Sequence, residues 1–270
     1  MHEPAPEPRP LHRRIARRLA RELRKPFKPL LEKWRDKQAP GLHHWMMHEA
    51  SVPMELPRGS ALVIAPHHDD ETFGCGGLIA LKRQANIPVN VLVMTDGRQS
   101  HGHIAGINLD QMTETRKREL LDACAILGIA SENIHFLDLP DQGVYRLTPE
   151  QHRQAVQRVA NLILSLRPQE LYVNHRIDRH PDHEAVFRIV SDAMAQAAIP
   201  IELYQYPIWL IWKGPYRWND HPDDLEGARR LDVRTVQQQK DKAIAAYSSQ
   251  HQILPQGFLG QFTQGYELFF

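Results

Sequence analysis

Five short, mainly apolar runs, at 61–65, 89–94, 133–137, 170–174 and 201–206, punctuate the chain. Runs of that kind form strands buried on both faces of a parallel sheet. Between them, 74–86, 113–128, 149–166 and 184–197 repeat their apolar positions at helical spacing. In the 149–166 stretch these are Val156, Val159, Ala160, Ile163 and Leu166, which predict a core-facing helix. Strand alternating with helix predicts an α/β fold: a Rossmann-like, mostly parallel sheet with helices on both faces.

The first run breaks at Pro66, and His67, His68, Asp69, Asp70 and Glu71 follow consecutively before Gly74, Gly76 and Gly77 open the next helix. Open α/β sheets hold their ligands just beyond the carboxyl ends of strands, where this cluster falls. A charged run is ordinarily a solvated turn. Here three carboxylates and two imidazoles, packed between a buried strand and a helix, repel or stay unpaired unless a cation sits among them. A metal ion is the simplest candidate. His67 and Asp70, three apart in a tight turn, can both reach one divalent ion, and Asp69 is left beside it as a free base. One more protein ligand completes a three-ligand catalytic zinc site with an open position for water.

The fourth run, ELYVN, is followed by HRIDRHPDH at 175–183. Pro181 suits the first turn of a helix, where its missing N–H costs nothing. That sets His180 and His183 three apart on one face of the helix start. One imidazole can bind metal while the other reaches the substrate side. Two histidines at that spacing ordinarily make a surface pair; after a strand, and matched with the first cluster, they read as part of a site. Because the first and fourth strands both deliver such residues, they are expected side by side where the strand order reverses.

On these residues the chain resembles the PIG-L or LmbE-like zinc deacetylases. Their first motif reads roughly Pro/Ala-His-Pro-Asp-Asp-Glu, here Pro66 to Glu71, and their second His-Pro-Asp-His, here His180 to His183. TETRKRELLDACAILG at 113–128 is similar to the family's Arg-x-x-Glu helix, and the tail from Gln239 to Gln250 to its last helix. The resemblance covers roughly 58–270, which implies a deacetylase domain over 51–270 and leaves 1–50 as an extension. It implies that His67, Asp70 and His183 hold one Zn2+ per chain. It also implies that Asp69 is the proton-transfer carboxylate, that His180 stabilises the oxyanion with Asp182 orienting an imidazole, and that Arg116 binds substrate. That substrate is typically an N-acetylglucosamine unit carried on another group. His68 stands where the family usually has Pro, and it either points away, competes for metal or touches substrate. Arg98, closing the turn after the second strand, joins Arg116 and His68 as a candidate substrate contact.

Composition adds limits. Hydrophobic residues at 42% and charged residues at 24% are ordinary for a soluble globular protein. The net charge of +1 hides an asymmetry, since residues 1–40 carry twelve Lys or Arg against five Asp or Glu. Cys75 and Cys124 read as small buried thiols in a reducing compartment. No apolar run reaches membrane-spanning length and the N-terminus lacks a signal-peptide core, so a cytoplasmic enzyme is expected. MHEPAPEPRP is too polar and Pro-rich to fold alone. Leu11, Ile15, Leu19 and Leu23 then form an apolar stripe among arginines. Residues 11–37 therefore read as a basic amphipathic segment that docks on the domain or a second subunit, or meets an anionic inner-membrane surface or pathway partner. A nucleic-acid arm fits worst, because no recognisable binding module follows, and no nucleic-acid partner is expected.

The polar stretch 99–109 predicts a loop over the site, with His101 and His103 facing solvent. The aromatic stretch 206–218 combines core residues with a rim on which a sugar ring stacks, and HPDD at 221–224 reads as a chance echo of the first motif. The favoured function is zinc-dependent removal of an N-acetyl group from an amino-sugar conjugate, which the basic segment would allow to be lipid-carried. A zinc amidase acting on another amide is the second reading, and a membrane- or complex-associated protein with an idle core the third. The oligomeric state, homo-oligomer or monomer, stays open.

Overall fold

A helical turn at Met46–Ala50 and a short strand, β1 (Val52–Met54), lead into β2 (Ala61–Ala65), α1 (Asp70–Gln84), β3 (Val89–Thr95) and α2 (Leu109–Ile126). Alternation continues through β4 (Ile134–Leu139), α3 (Pro149–Leu166), β5 (Glu170–Asn174), α4 (Pro181–Ala197), β6 (Glu202–Tyr206) and α5 (Trp209–Lys213). Then come β7 (Arg229–Asp232), α6 (Gln237–Ala246), α7 (Ser248–His251) and β8 (Tyr266–Phe269). This computed structural model describes residues 44–102, 104, 108–213 and 226–270. The basic stripe, His103, Tyr216, Trp218 and the 221–224 echo lie outside the described residues.

The main sheet has the order β4-β3-β2-β5-β6, and every pair in it is parallel. The expected α/β class is therefore the observed one. Strand order reverses between β2 and β5, so the loops after these two strands open at the same point of the carboxyl edge. Leu62, Ile64, Leu92 and Leu171 face one helical layer, where Val156, Val159, Val186 and Ile189 of α3 and α4 meet them. Val63, Val91 and Tyr172 face the other, against Phe73, Leu78, Leu120 and Ala243 of α1, α2 and α6. Each fully buried Val, Leu or Ile is worth about 1.5–3 kcal/mol, which is why these strands carry apolar side chains on both faces rather than on one.

Helix starts follow local capping. Asn108 accepts hydrogen bonds from the N–H groups of Asp110 and Gln111, so α2 begins well before the family-like segment at 113. Thr148 and Gln151 form a reciprocal capping box at α3. Pro181 occupies the first turn of α4. The glycines of α1 serve close approach: a Cβ on Gly74 would stand 2.2 Å from the Tyr206 ring, and one on Gly77 would stand 2.5 Å from Val233.

A second sheet, β1-β7-β8, has no counterpart in the sequence reading. It sends the buried Glu267 onto α1, where Gly77 and Leu78 donate their N–H groups to it at 2.6 and 2.8 Å. Lys240 of α6 donates to Glu267 at 2.7 Å and to the Phe73 carbonyl at 2.9 Å. The carbonyl of Phe73 and the N–H of Gly77, which a regular helix would pair with each other, thus both bond to one buried ion pair. That pair fixes α1, the helix whose first turn carries Asp70. Among the described residues no helix is long and apolar enough to cross a membrane.

Candidate metal centre

The loop after β2 turns sharply. Asp69 takes φ 138 and ψ −29, a backbone region that costs a non-glycine residue on the order of 1–3 kcal/mol. Its carbonyl accepts the N–H groups of Thr72 and Phe73, while Glu71 accepts the Asp69 N–H at 3.2 Å and the hydroxyls of Thr72 and Tyr247. Glu71 is thereby fully occupied as the frame of the turn. Burial pushes its carboxyl pKa up.

Three ligand atoms converge in front of that turn. His67 Nδ1 lies 3.1 Å from His183 Nε2 and 3.3 Å from Asp70 Oδ2, and His183 Nε2 lies 3.2 Å from Asp70 Oδ2. Donors about 2.0–2.1 Å from a tetrahedral ion stand about 3.3 Å apart. The triangle therefore fits three corners of such a shell, and two imidazoles with one carboxylate suit zinc. The His67 N–H also donates to Asp70 Oδ2 at 2.9 Å, which fixes the carboxylate. His180 stands close by, its ring centroid 5.0 Å from that of His67 and 4.8 Å from that of His183. Its nitrogen lies within 4.8 Å of theirs, a looser fit than that of Asp70.

Two carboxylates that the sequence reading left unassigned complete the surroundings. Asp178 accepts a 2.7 Å hydrogen bond from His183 Nδ1, and its other oxygen accepts the N–H groups of Ile208 and Leu210 at 2.8 and 3.0 Å. A carboxylate behind a ligating imidazole fixes its tautomer and raises its basicity. Asp141, in the turn after β4, places Oδ1 3.4 Å from His67 Nε2, and Asp182 places Oδ2 3.6 Å from the same nitrogen. Only its position at the carboxyl edge of the sheet could have singled out Asp141. For Asp178 the signal was a second acid within the 175–183 stretch.

Asp69 Oδ2 accepts from Arg116 Nη2 at 3.2 Å, and the same Nη2 donates to the His68 carbonyl at 2.6 Å. Arg116 is buried, so it holds the loop and the Asp69 carboxylate together. His68 has no exposed surface and stacks 6.0 Å from Phe136, so in this conformation its ring offers nothing to a substrate. Arg98 pairs with Asp110 at 2.8 Å and lines an open cleft of about 630 Å³ with Asp96, Thr113, Glu114 and Arg118. Another cleft, of about 540 Å³, lies at the amino end of β5 and β6 and contains none of these residues. His101, expected in solvent, is buried instead. Its Nε2 is 3.1 Å from the Ser249 carbonyl and its Nδ1 3.0 Å from the Ser100 hydroxyl, a docking on α7 that glycine content could not reveal.

Burial and charge set the protonation. Burial disfavours charge on His183, but Asp70 and Asp178 outweigh it and raise the pKa to about 9. His67 is likewise raised, because Asp141, Asp182 and Asp70 overcome its burial. Burial works against the Asp70 carboxylate too, yet His183 and His67 hold it well below the usual range. Asp69 moves the other way: burial pushes it well above the usual range, with Arg116 opposing and Asp70 adding. Two adjacent carboxyls are thus driven apart, the pattern expected of an acid–base pair.

Comparison with known proteins agrees with this geometry. The sequence profile of the family described as PIG-L: GlcNAc-PI de-N-acetylase matches residues 62–194, a span that includes both loops. The probable N-acetyl-alpha-D-glucosaminyl L-malate deacetylase 2 of Bacillus subtilis (strain 168) is 33% identical over 138 residues, 49% of this chain and 59% of that protein. The chain thus spans about three fifths of the length of the first curated relatives it matches. The uncharacterized deacetylase YaiS of Escherichia coli (strain K12) is 31% identical over 156 residues, 57% of this chain and 77% of that protein. Among solved structures, the conserved protein TT1542 from Thermus thermophilus superposes with a TM-score of 0.56 at 27% identity, over 75% of this chain and 84% of that one. A profile match across both loops, joined to an alignment over most of a deacetylase's length, shows that the chain belongs to the PIG-L family.

Proposed function

We propose that this protein is a zinc-dependent N-deacetylase that removes the acetyl group from an N-acetylglucosamine-type conjugate. The observation that carries the reading is the triangle of His67 Nδ1, Asp70 Oδ2 and His183 Nε2 with the Asp69 carboxylate on the same turn. Those atoms would hold zinc, which would supply Lewis acidity toward an amide carbonyl and a water. Asp69 takes the proton of the attacking water and returns one to the amine as the C–N bond breaks. Arg116 holds that carboxylate in place. His180 donates a hydrogen bond to the carbonyl oxygen as negative charge grows there. Trp209, half-buried between His180 at 6.3 Å and Phe258 at 4.5 Å between ring centroids, belongs to an aromatic edge of the site against which the sugar ring would rest.

The relatives named as deacetylases of glucosaminyl conjugates support this substrate class. The arginine-flanked stripe supports a further element, attraction to an anionic membrane surface where a lipid-carried amino sugar would be met. Basic residues near such a surface contribute about 1 kcal/mol each. Salt-sensitive binding to phosphatidylserine vesicles is expected, and its absence at low salt would remove the membrane element alone. The activity itself is tested by incubating the zinc-loaded protein with parallel panels of N-acetylglucosaminides and acylated non-sugar amines and assaying free amine. Amine release confined to the sugar panel supports the reading. Release confined to the other panel would assign the site to a different amide.

A further inference from the structure

His67 offers its two ring nitrogens to two separate sets of atoms. Nδ1 belongs to the triangle with Asp70 and His183. Nε2 faces Asp141 Oδ1 at 3.4 Å and Asp182 Oδ2 at 3.6 Å, and the three atoms lie within 4.8 Å of one another. These separations are long for N–H···O hydrogen bonds, which run at about 2.7–3.2 Å. They match the spacing of about 3.3–3.6 Å between neighbouring donors around an ion at about 2.0–2.2 Å.

The carboxylates are built to present those oxygens. Asp182 has no exposed surface; its Oδ1 accepts the Tyr145 N–H at 3.3 Å, while Oδ2 has no hydrogen-bond partner and points at His67. A buried charged oxygen without a donor is expensive, at about 1–3 kcal/mol or more. Asp141 is buried as well, and its Oδ2 accepts the Gln99 N–H at 2.8 Å, which turns Oδ1 toward the same point. Two carboxylates from different elements, each pinned by a backbone N–H, thus converge with an imidazole nitrogen on one spot.

We propose that His67 Nε2, Asp141 Oδ1 and Asp182 Oδ2 form a second, weaker site for a divalent cation, which shares the His67 ring with the first. One imidazole with two carboxylates suits Zn2+, Co2+ or Mn2+. As the ion binds, the proton on Nε2 passes to solvent and the nitrogen lone pair is donated to the metal. Repulsion between two dications across one ring makes this second site the weaker.

The test is zinc binding to the full chain by calorimetry and chelator competition. The wild type is expected to take up two ions, the second at least tenfold more weakly. Asp182→Asn and Asp141→Asn should each keep the first ion and weaken the second at least tenfold further. Should Asp182→Asn fail to fold, Asp141→Asn decides alone. Saturation at one ion overturns the proposal, as does a second ion held equally by the wild type and both variants, which would be an adventitious ion only. Retention of the first ion in the same samples keeps this outcome separate from the proposed deacetylase chemistry.

Discussion

Replacing Asp178 by Asn changes one buried group with almost no change in volume, and the consequence for the metal centre can be worked out atom by atom. Oδ1 of Asp178 accepts two backbone N–H groups, from Ile208 and Leu210, so the oxygen of the introduced amide keeps that position. Its NH2 group then faces His183 Nδ1, which lies 2.7 Å from the native Oδ2. Two donors cannot share that line, so the neutral His183 ring, the form that ligates, carries its proton on Nε2, the nitrogen that meets His67 Nδ1 and Asp70 Oδ2. Ligation at Nε2 must now displace that proton and reverse the tautomer. Loss of such a supporting carboxylate lowers metal affinity by about 10–100-fold, which is about 1.4–2.7 kcal/mol. Competition with a chromophoric chelator measures it directly. The metal-free melting temperature should fall near neutral pH, because His183 loses one of the two carboxylates that hold it charged; Asp178→Ala, which also strands both backbone donors, should lower it further. A zinc dissociation constant within about twofold of wild type in folded Asp178→Asn would refute the orienting role.

Asp69→Asn should retain zinc and lose at least about a hundredfold in turnover, the scale of a general base; near-normal turnover with full zinc would move proton transfer to another group. His183 gives a signed pH dependence: its folded value of about 9 exceeds the ordinary 6.5, so its stabilisation is complete below about 6.5 and is lost as pH rises through 9. The metal-free protein should therefore melt progressively lower between pH 7 and 9.5, by on the order of 3 kcal/mol at the limit, while apparent zinc affinity climbs over the same range; flat profiles would contradict this. Lys240→Met leaves Glu267 buried without its cation and should destabilise by about 3–5 kcal/mol in a denaturant titration, a loss under about 1 kcal/mol counting against the ion pair as the fixing element of α1.

The parts legible in the sequence were those whose signal is local. β2 and β5 are buried on both faces, so ALVIA is apolar throughout and ELYVN apolar at its centre, and their bounds coincide with the expected ones. The juxtaposition of the loops after them followed from both runs delivering metal-type residues. Asp178 and Asp141 were not legible, because each acts through a tertiary contact with a histidine 5 or 74 residues away. β1, β7 and β8 are three or four residues long, β1 contains Pro53 and the other two carry charged positions, so all fall below what periodicity detects. Nothing local marks Lys240 and Glu267, 27 residues apart, as a buried pair.

Acetate release measured against metal occupancy bears most directly on the proposed function. Purified protein stripped with a chelator, then reloaded to one zinc per chain, should recover hydrolysis of an N-acetylglucosaminide with one acetate formed for each free amine. His67→Ala, Asp70→Ala and His183→Ala should neither hold the ion nor recover activity. Equal acetate release by the stripped and reloaded enzyme, or full zinc occupancy in any of the three variants, would contradict the metal centre described above.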